Sequence, residues 1–463
     1  MAIPKLFARL SAVALAWMYI AYSLSTSTAR ADTISTASGN TLTPGLLANG
    51  LFPAAGRTLH ELGLDIGGTF LEAFSANPNM GAFPNHTANN GILVPEIDLD
   101  LGKAANIKGM QIHFAYTIFT LKSNTPTAAT QYGDMVGVYL GLPIPNSNTL
   151  TKLTIEQKLL NDRLDLEIGK MDPVRVFARP NCENIQVCIS DPVLTIGASE
   201  MPFVFAVWGG RMKYNFTHAD YIQIAGFEDN WMDNYHNGIH WGTSGATGAL
   251  ATMEYGRKTT FATARLPQDY EFGFFYNTSP GGSPKGFPVS FVPEILSYPY
   301  SGGKGLFSRV RQVVVHGPKA TAGDVPRNIA LYAAADGLVG SEQPVHFTGW
   351  VGLNMTGYLP YRPLDSVGLQ LTYNKINRRE ATFETRTRLA AGLSYQKQST
   401  NEFVLAIYSG HKVLPWLSLQ FSAQYFINPN HYYDELGPRN PRDGFICTAN
   451  GIISLGGLLG TGR

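Results

Sequence analysis

The chain has 463 residues, 44% of them hydrophobic and 15% charged, with 48 Gly, 28 Pro, three Cys and a formal charge of +1. The balance of 35 basic against 34 acidic residues excludes a nucleic-acid binder driven by phosphate neutralisation. An aromatic content of 11% excludes disorder, and three Cys exclude a disulfide scaffold. Charge lies well below the ~25% usual in soluble proteins. Either much of the surface avoids water, or it meets water through Asn, Ser, Thr and Gln.

Lys5 and Arg9 precede an apolar run from Leu10 to Leu24, and Ala29-Arg30-Ala31 offers small residues at the two positions that a signal peptidase reads. We expect residues 1–31 to be a signal peptide cleaved before Asp32, and 32–463 to be one exported domain. The rival is an N-terminal anchor, for which the run is short against the ~20 residues of a spanning helix. No later stretch approaches ~18 continuous apolar residues. The exported chain is then either a soluble protein or a membrane β-barrel.

One short stretch, Gly56 to Leu62, predicts a helical turn or two. Beyond it the dominant period is two. Ile97, Leu99 and Leu101 oppose Glu96, Asp98 and Asp100; Ile112, Phe114, Tyr116 and Ile118 oppose Gln111, His113, Ala115 and Thr117. The same alternation runs through Val367–Asn374, Leu389–Gln396 and Leu417–Tyr425, with Gly, Pro and Asn marking the turns. About 16 to 18 strands are expected, with no linker to divide them. The polar face is rich in Gly, Ser, Thr, Asn and Gln, which suits a narrow watery lumen. Aromatics gather at segment ends (Tyr298 and Tyr300, Tyr358 and Tyr361, Trp416, Tyr425 and Phe426), like an interfacial girdle. The predicted fold is all-β: a transmembrane antiparallel β-barrel of about 16 strands with a short N-terminal helix.

Catalytic constellations are fragmentary. His236 and His240 have the spacing of a zinc pair, but Asn237 stands where a metalloprotease needs Glu, and Gly238 and Gly242 favour a loop. Ser244 is not in a nucleophile elbow. There is no phosphate-binding loop, and neither an enzymatic activity nor a cofactor is expected. Cys182 and Cys188 form either a small-loop disulfide or two free thiols, and Cys447 is an apolar filler on a strand face.

Parity places several charged side chains inward: Glu156, Asp165 with Glu167, Arg211 with Lys213, and Arg386 with Arg388. Opposed charges across a lumen set up a field that can orient a polyhydroxylated solute; the plainer role is wall bracing. Trp350 also points inward, where an indole face can pack on a sugar ring; its alternative is a place in the girdle.

The ordered series Gly56-Arg57-Thr58-Leu59, Asp98-Leu99-Asp100-Leu101, Leu153-Thr154-Ile155-Glu156-Gln157, Ile168-Gly169-Lys170, the Cys182/Cys188 loop, Trp208-Gly209 with Arg211, Tyr221 with Gln223, and Leu414-Pro415-Trp416-Leu417 resembles the carbohydrate-selective porins of Gram-negative outer membranes, the OprB type. The resemblance covers about Gly56 to Asn430. It implies a barrel of roughly 16 strands that lets monosaccharides such as glucose diffuse inward through a charged and aromatic constriction. It also places Glu156, Lys170 and Arg211 along that pathway, and Gln223 is expected there with them. Lys170 breaks its strand's parity, so the expectation there rests on an inward bend at Gly169. The family's opening Trp-Gly-Gly is replaced by Pro53-Ala54-Ala55, and the chain ends Gly460-Thr461-Gly462-Arg463 without a terminal aromatic. The implied partners are small sugars and outer-membrane lipid, with a homotrimer compatible with the size and no nucleic acid. The alternative function is an exported soluble β-rich carbohydrate-binding protein or glycan hydrolase.

Overall fold

Pro53 opens helix α1 (Pro53–Glu61), where its missing N–H costs no hydrogen bond, and Gly63 at φ +84° turns the chain out of it. From there strands are the dominant regular element among the described residues. The structure, a computed structural model, describes residues 50–123, 132–134, 148–179, 181–188, 191–194, 206–230, 237–279, 303–318, 326–340, 343–358, 362–393, 397–432 and 439–460. The expected signal peptide, His236, Tyr298, Tyr300 and Tyr361 lie outside these residues.

The strands are β1 (Leu64–Asn77), β2 (His86–Asp100), β3 (Met110–Ser123), β4 (Thr149–Leu159), β5 (Leu164–Met171), β6 (Val207–Asn215), β7 (Asp220–Asp229) and β8 (Gly248–Lys258). They continue with β9 (Gln268–Asn277), β10 (Lys304–His316), β11 (Asn328–Leu338), β12 (Val345–Thr356), β13 (Ser366–Ile376), β14 (Asn401–Leu414), β15 (Leu417–Ile427) and β16 (Gly444–Ser454). Short helices α2 (Leu101–Ala105) and α3 (Ile185–Cys188), a longer α4 (Arg378–Ala390) and the terminal α5 (Leu455–Leu458) sit in the connections or at the end.

Each strand pairs antiparallel with its neighbours in sequence, and β1 pairs with β16 from Thr69↔Ser454 to Ala76↔Cys447, closing the barrel. Closure leaves no unpaired edge, which is the condition for a sheet to cross hydrocarbon. The backbone amides of Leu51 and Phe52 both donate to the Leu458 carbonyl, at 2.7 and 3.0 Å, so α1 and α5 are tied at one end of the barrel.

That end also carries the tight turns β4–β5, β6–β7 and β14–β15, while the long connections β5–β6, β9–β10 and β13–β14 lie at the other. Barrels of this kind keep short turns in the periplasm and long loops outside. The outward faces agree with a membrane setting. On β13, Leu369 and Leu371 point out and are each 45% exposed, while Gln370, Thr372 and Asn374 point in and are buried. Near the long-loop end an outward girdle of Tyr276, Phe347, Tyr373, Phe403, Tyr425 and Phe445 includes ring pairs Phe347–Tyr373, Tyr373–Phe403 and Tyr425–Phe445. Tyr214 and Phe216 pack edge to face at the short-turn end. Phe426, expected in the girdle, points inward by parity and is fully buried.

One predicted strand does not form among the described residues. The alternation read at Leu389–Gln396 begins inside helix α4, followed by a turn at Ala391 and Gly392. Asn377 caps the helix by accepting from the Arg379 amide at 2.9 Å. Glu380 in the first turn and Arg388 in the last match the helix dipole. Buried positions 380, 381, 384, 387 and 388 follow helical spacing, but their polarity hid it from a hydrophobicity pattern. Arg386 and Arg388 therefore do not line the barrel wall: Arg386 is exposed on the helix, and Arg388 is buried beneath it.

Candidate functional site

The register of β2 to β6 brings one charged cluster together on the inner wall. Pairings Asp98↔His113, Glu156↔Glu167 and Glu167↔Arg211 put these side chains in adjoining rows. His113 bridges Asp98 at 2.5 Å and Glu156 at 2.8 Å. The Arg211 Nη2 lies 2.8 Å from Asp165, 3.1 Å from Glu167 and 3.8 Å from Glu156. Lys152 reaches Glu167 at 2.7 Å, and Thr154 donates to the same carboxylate at 2.7 Å. Glu156, Asp165, Glu167 and Arg211, all placed inward by parity, thus form one network.

The cluster continues onto β7 and β8. Gln223 donates to Glu254 at 2.7 Å and to the Val176 carbonyl at 3.0 Å; the Tyr221 hydroxyl donates to the same Glu254 oxygen at 2.9 Å. The Lys213 ammonium lies 3.9 Å from the Tyr221 ring centre.

A second feature is the connection between β5 and β6, whose described residues 172–179, 181–188 and 191–194 turn into the barrel. Arg175 pairs with Glu96 of β2 at 2.7 Å, and the Ala178 amide donates to Glu254 at 3.2 Å. Asn181 donates to the carbonyls of Ala333 at 2.8 Å and Val310 at 3.2 Å. Further along, Gln420 donates to the Glu183 carbonyl, Asn184 to the Phe421 carbonyl, Gln186 to Asn450, and Gln370 to the Val187 carbonyl. Arg309 of β10 binds both Asp336 of β11 and Asp191 of the segment. Arg311 pairs with Glu183 at 2.5 Å. The segment therefore touches walls on several sides and narrows the bore. Cys182 and Cys188 lie within it and are disulfide-bonded, with Cα atoms 5.8 Å apart.

Two expected pathway residues are placed differently. Trp350 points inward but is 4% exposed. Its N–H donates to Asn181 at 3.1 Å, and the Arg309 guanidinium lies 4.6 Å from its ring centre. The ring face that a sugar would need is covered, so Trp350 braces the crossing segment. Lys170 makes no inward bend despite Gly169 at φ +144°. It stays on the outward side of β5, fully buried, and donates to the carbonyls of His240 at 2.6 Å and Gly238 at 3.2 Å. Residues 237–240 are a turn and loop, and no three His, Cys, Asp or Glu side chains are placed to hold a metal among the described residues.

Arg309, Asp336, Asp191, Arg311, Glu183 and Asn181 were not singled out from sequence. Arg309 and Arg311 share parity with Gly305 on β10, and Asp336 is a lone acid in an Ala-rich strand. Those are the signals that parity alone offered. The crossing segment has no periodicity to read.

A family model described as "Carbohydrate-selective porin, OprB family" matches residues 85–447. Porin B of Pseudomonas aeruginosa is 24% identical over 298 residues, covering 60% of this chain and 63% of that protein. This chain's match thus spans less than two thirds of that relative's length. The high-pH structure of Pseudomonas putida OprB superposes with a TM-score of 0.69 at 20% identity, covering 86% of this chain and 96% of that one. Its low-pH counterpart gives 0.52 at 17% identity, covering 86% and 95%. The sequence series, the closed barrel with its charged lumen and the family match over most of its length agree: the chain belongs to the carbohydrate-selective porin family of the bacterial outer membrane.

Proposed function

We propose that this barrel is a passive channel for small neutral sugars, monosaccharides above all, which cross the outer membrane down their gradient. The observation that carries this reading is the pairing of an acid–base cluster on β2 to β6 with a segment anchored across the bore. Such a constriction presents both hydrogen-bond donors and acceptors to a solute that sheds part of its water. Opposed charges held by one another give a neutral solute partners without trapping an ion. Binding at such a site must stay weak enough for the solute to leave. Glu156, Asp165, Glu167, Arg211 and Gln223 are the residues to which this pathway role is assigned.

Each barrel encloses its own bore, so a homotrimer would multiply pores without completing one. Reconstitution into liposomes tests the function. Swelling is expected to be faster with glucose than with amino acids of similar size. Equal rates for all solutes of one size would leave a general pore and remove the sugar preference. A mature protein that stays soluble and monomeric without detergent would instead favour the exported sugar-binding alternative.

A further inference from the structure

Glycines on the inner wall have a clear packing reason. A Cβ at Gly256, Gly352 or Gly368 would come within 2.1 to 2.3 Å of the rings of Tyr221, Tyr332 or Tyr408, so each glycine makes room for a ring from a neighbouring strand. Two outward glycines have no such reason. A Cβ at Gly210 would meet nothing closer than 3.7 Å, and one at Gly226 nothing closer than 4.0 Å. The barrel itself does not need these positions empty.

The register lines them up. Gly210 pairs with Gly226, and Gly226 with Ala251, making one row of minimal side chains across β6, β7 and β8. The next row toward the short-turn end is Met212, Ile224 and Met253, each more than 40% exposed. The result is a furrow of about 770 Å³ in the outer wall. The row ends at Tyr276 of the upper girdle, paired with Ala251.

At the other side of the furrow, the loop after β7 folds over the outer wall. Lys170 holds it by the Gly238 and His240 carbonyls, and the Trp208 N–H donates to the Trp241 carbonyl at 3.2 Å. The two indoles pack 5.5 Å apart, and Trp241 and Ile239 are each 50% exposed. An indole pair at girdle level is suited to the boundary between headgroup and hydrocarbon.

We propose that this furrow is a binding site for a saturated acyl chain of an outer-leaflet glycolipid, with the polar head at the Trp208–Trp241 pair. Its continuity with the lipid-facing girdle and its entrance beneath an amphipathic indole pair fit such a ligand. A second barrel would rest its convex wall on the Met212, Ile224 and Met253 side chains and leave the floor empty.

Native mass spectrometry of the detergent-solubilised barrel, titrated with lipid A, tests this. The wild-type barrel is expected to retain a bound lipid A, Gly210→Leu/Gly226→Leu to lose it, and Gly451→Leu to retain it. Gly451 is also outward and open, but lies away from the furrow between Glu72 and Leu419. Retention by the double variant, or equal loss from Gly451→Leu, overturns the proposal. So does a wild-type oligomer that the double variant alone dissolves, since the furrow would then be a contact between copies. If the double variant does not fold, Ala251→Leu is held to the same comparison.

Discussion

Arg309 on β10 and Asp336 on β11 form an ion pair inside the barrel that is shut off from solvent, and Asp191 of the crossing segment closes on the same guanidinium. One carboxylate belongs to the wall and the other to the segment, so the pair separates two roles that could otherwise be confused. Asp336 balances the buried charge. Asp191 adds an anchor for the constriction.

Asp191→Asn is therefore expected to loosen the segment while leaving the barrel folded. Single-channel conductance should rise or become noisier, and resistance to detergent denaturation should hold. Asp336→Asn should instead weaken the barrel by about 3–5 kcal/mol, because it breaks a buried ion pair in the wall. Asp191→Asn channels with wild-type conductance would remove the anchoring role.

Arg211 is the cation shared by Asp165, Glu167 and Glu156. Arg211→Ala leaves three carboxylates on one patch of inner wall, with Lys152, Lys158, Lys213 and His113 still near them. Reversal potentials across a salt gradient should shift toward cation selectivity, and glucose flux should change. Arg211→Lys should fall between, since an ammonium cannot reproduce the planar fork of a guanidinium. A wild-type reversal potential in Arg211→Ala would assign the residue to bracing alone.

The strands were legible because their two faces meet different surroundings. Val367, Leu369 and Leu371 had to differ from Gly368, Gln370 and Thr372 if one face meets lipid and the other the lumen. The same rule located Glu156, Asp165, Glu167 and Arg211, since strand parity and inter-strand register suffice to bring them together. It failed at Arg386 and Arg388, where helix α4 buries polar groups at helical spacing and shows no apolar stripe. It failed differently at Trp350 and Lys170. Trp350 faces inward as parity said, but what covers it comes from the crossing segment. Lys170 obeyed the parity that the expected bend was invoked to break, and a loop about 70 residues later in the chain supplies its partners. Long-range loop contacts leave no periodic trace.

Lys170 offers a direct check on that distinction. Lys170→Met keeps the stem and removes the ammonium that holds Gly238 and His240. Protease should cleave the loop at 237–243 faster, and Trp241 fluorescence should shift as its contact with Trp208 loosens. Conductance and sugar flux should stay as in wild type. A loss of sugar flux with the loop still protected would return Lys170 to the pathway.

The inner-wall glycines predict a sharper cost. A Cβ at Gly368 would sit 2.1 Å from the Tyr408 ring, whose hydroxyl lies 3.0 Å from that of Tyr332. Both rings are almost fully buried, so neither has room to swing aside. Gly368→Val should destabilise the barrel by about 1–3 kcal/mol through overpacking. The smaller Gly368→Ala should cost less, and pairing it with Tyr408→Leu should recover part of the loss by opening the space that the ring fills. Urea midpoints in lipid vesicles read all three. If Gly368→Val unfolds at the wild-type midpoint, the ring is not seated on the glycine and the packing assigned to this row is wrong.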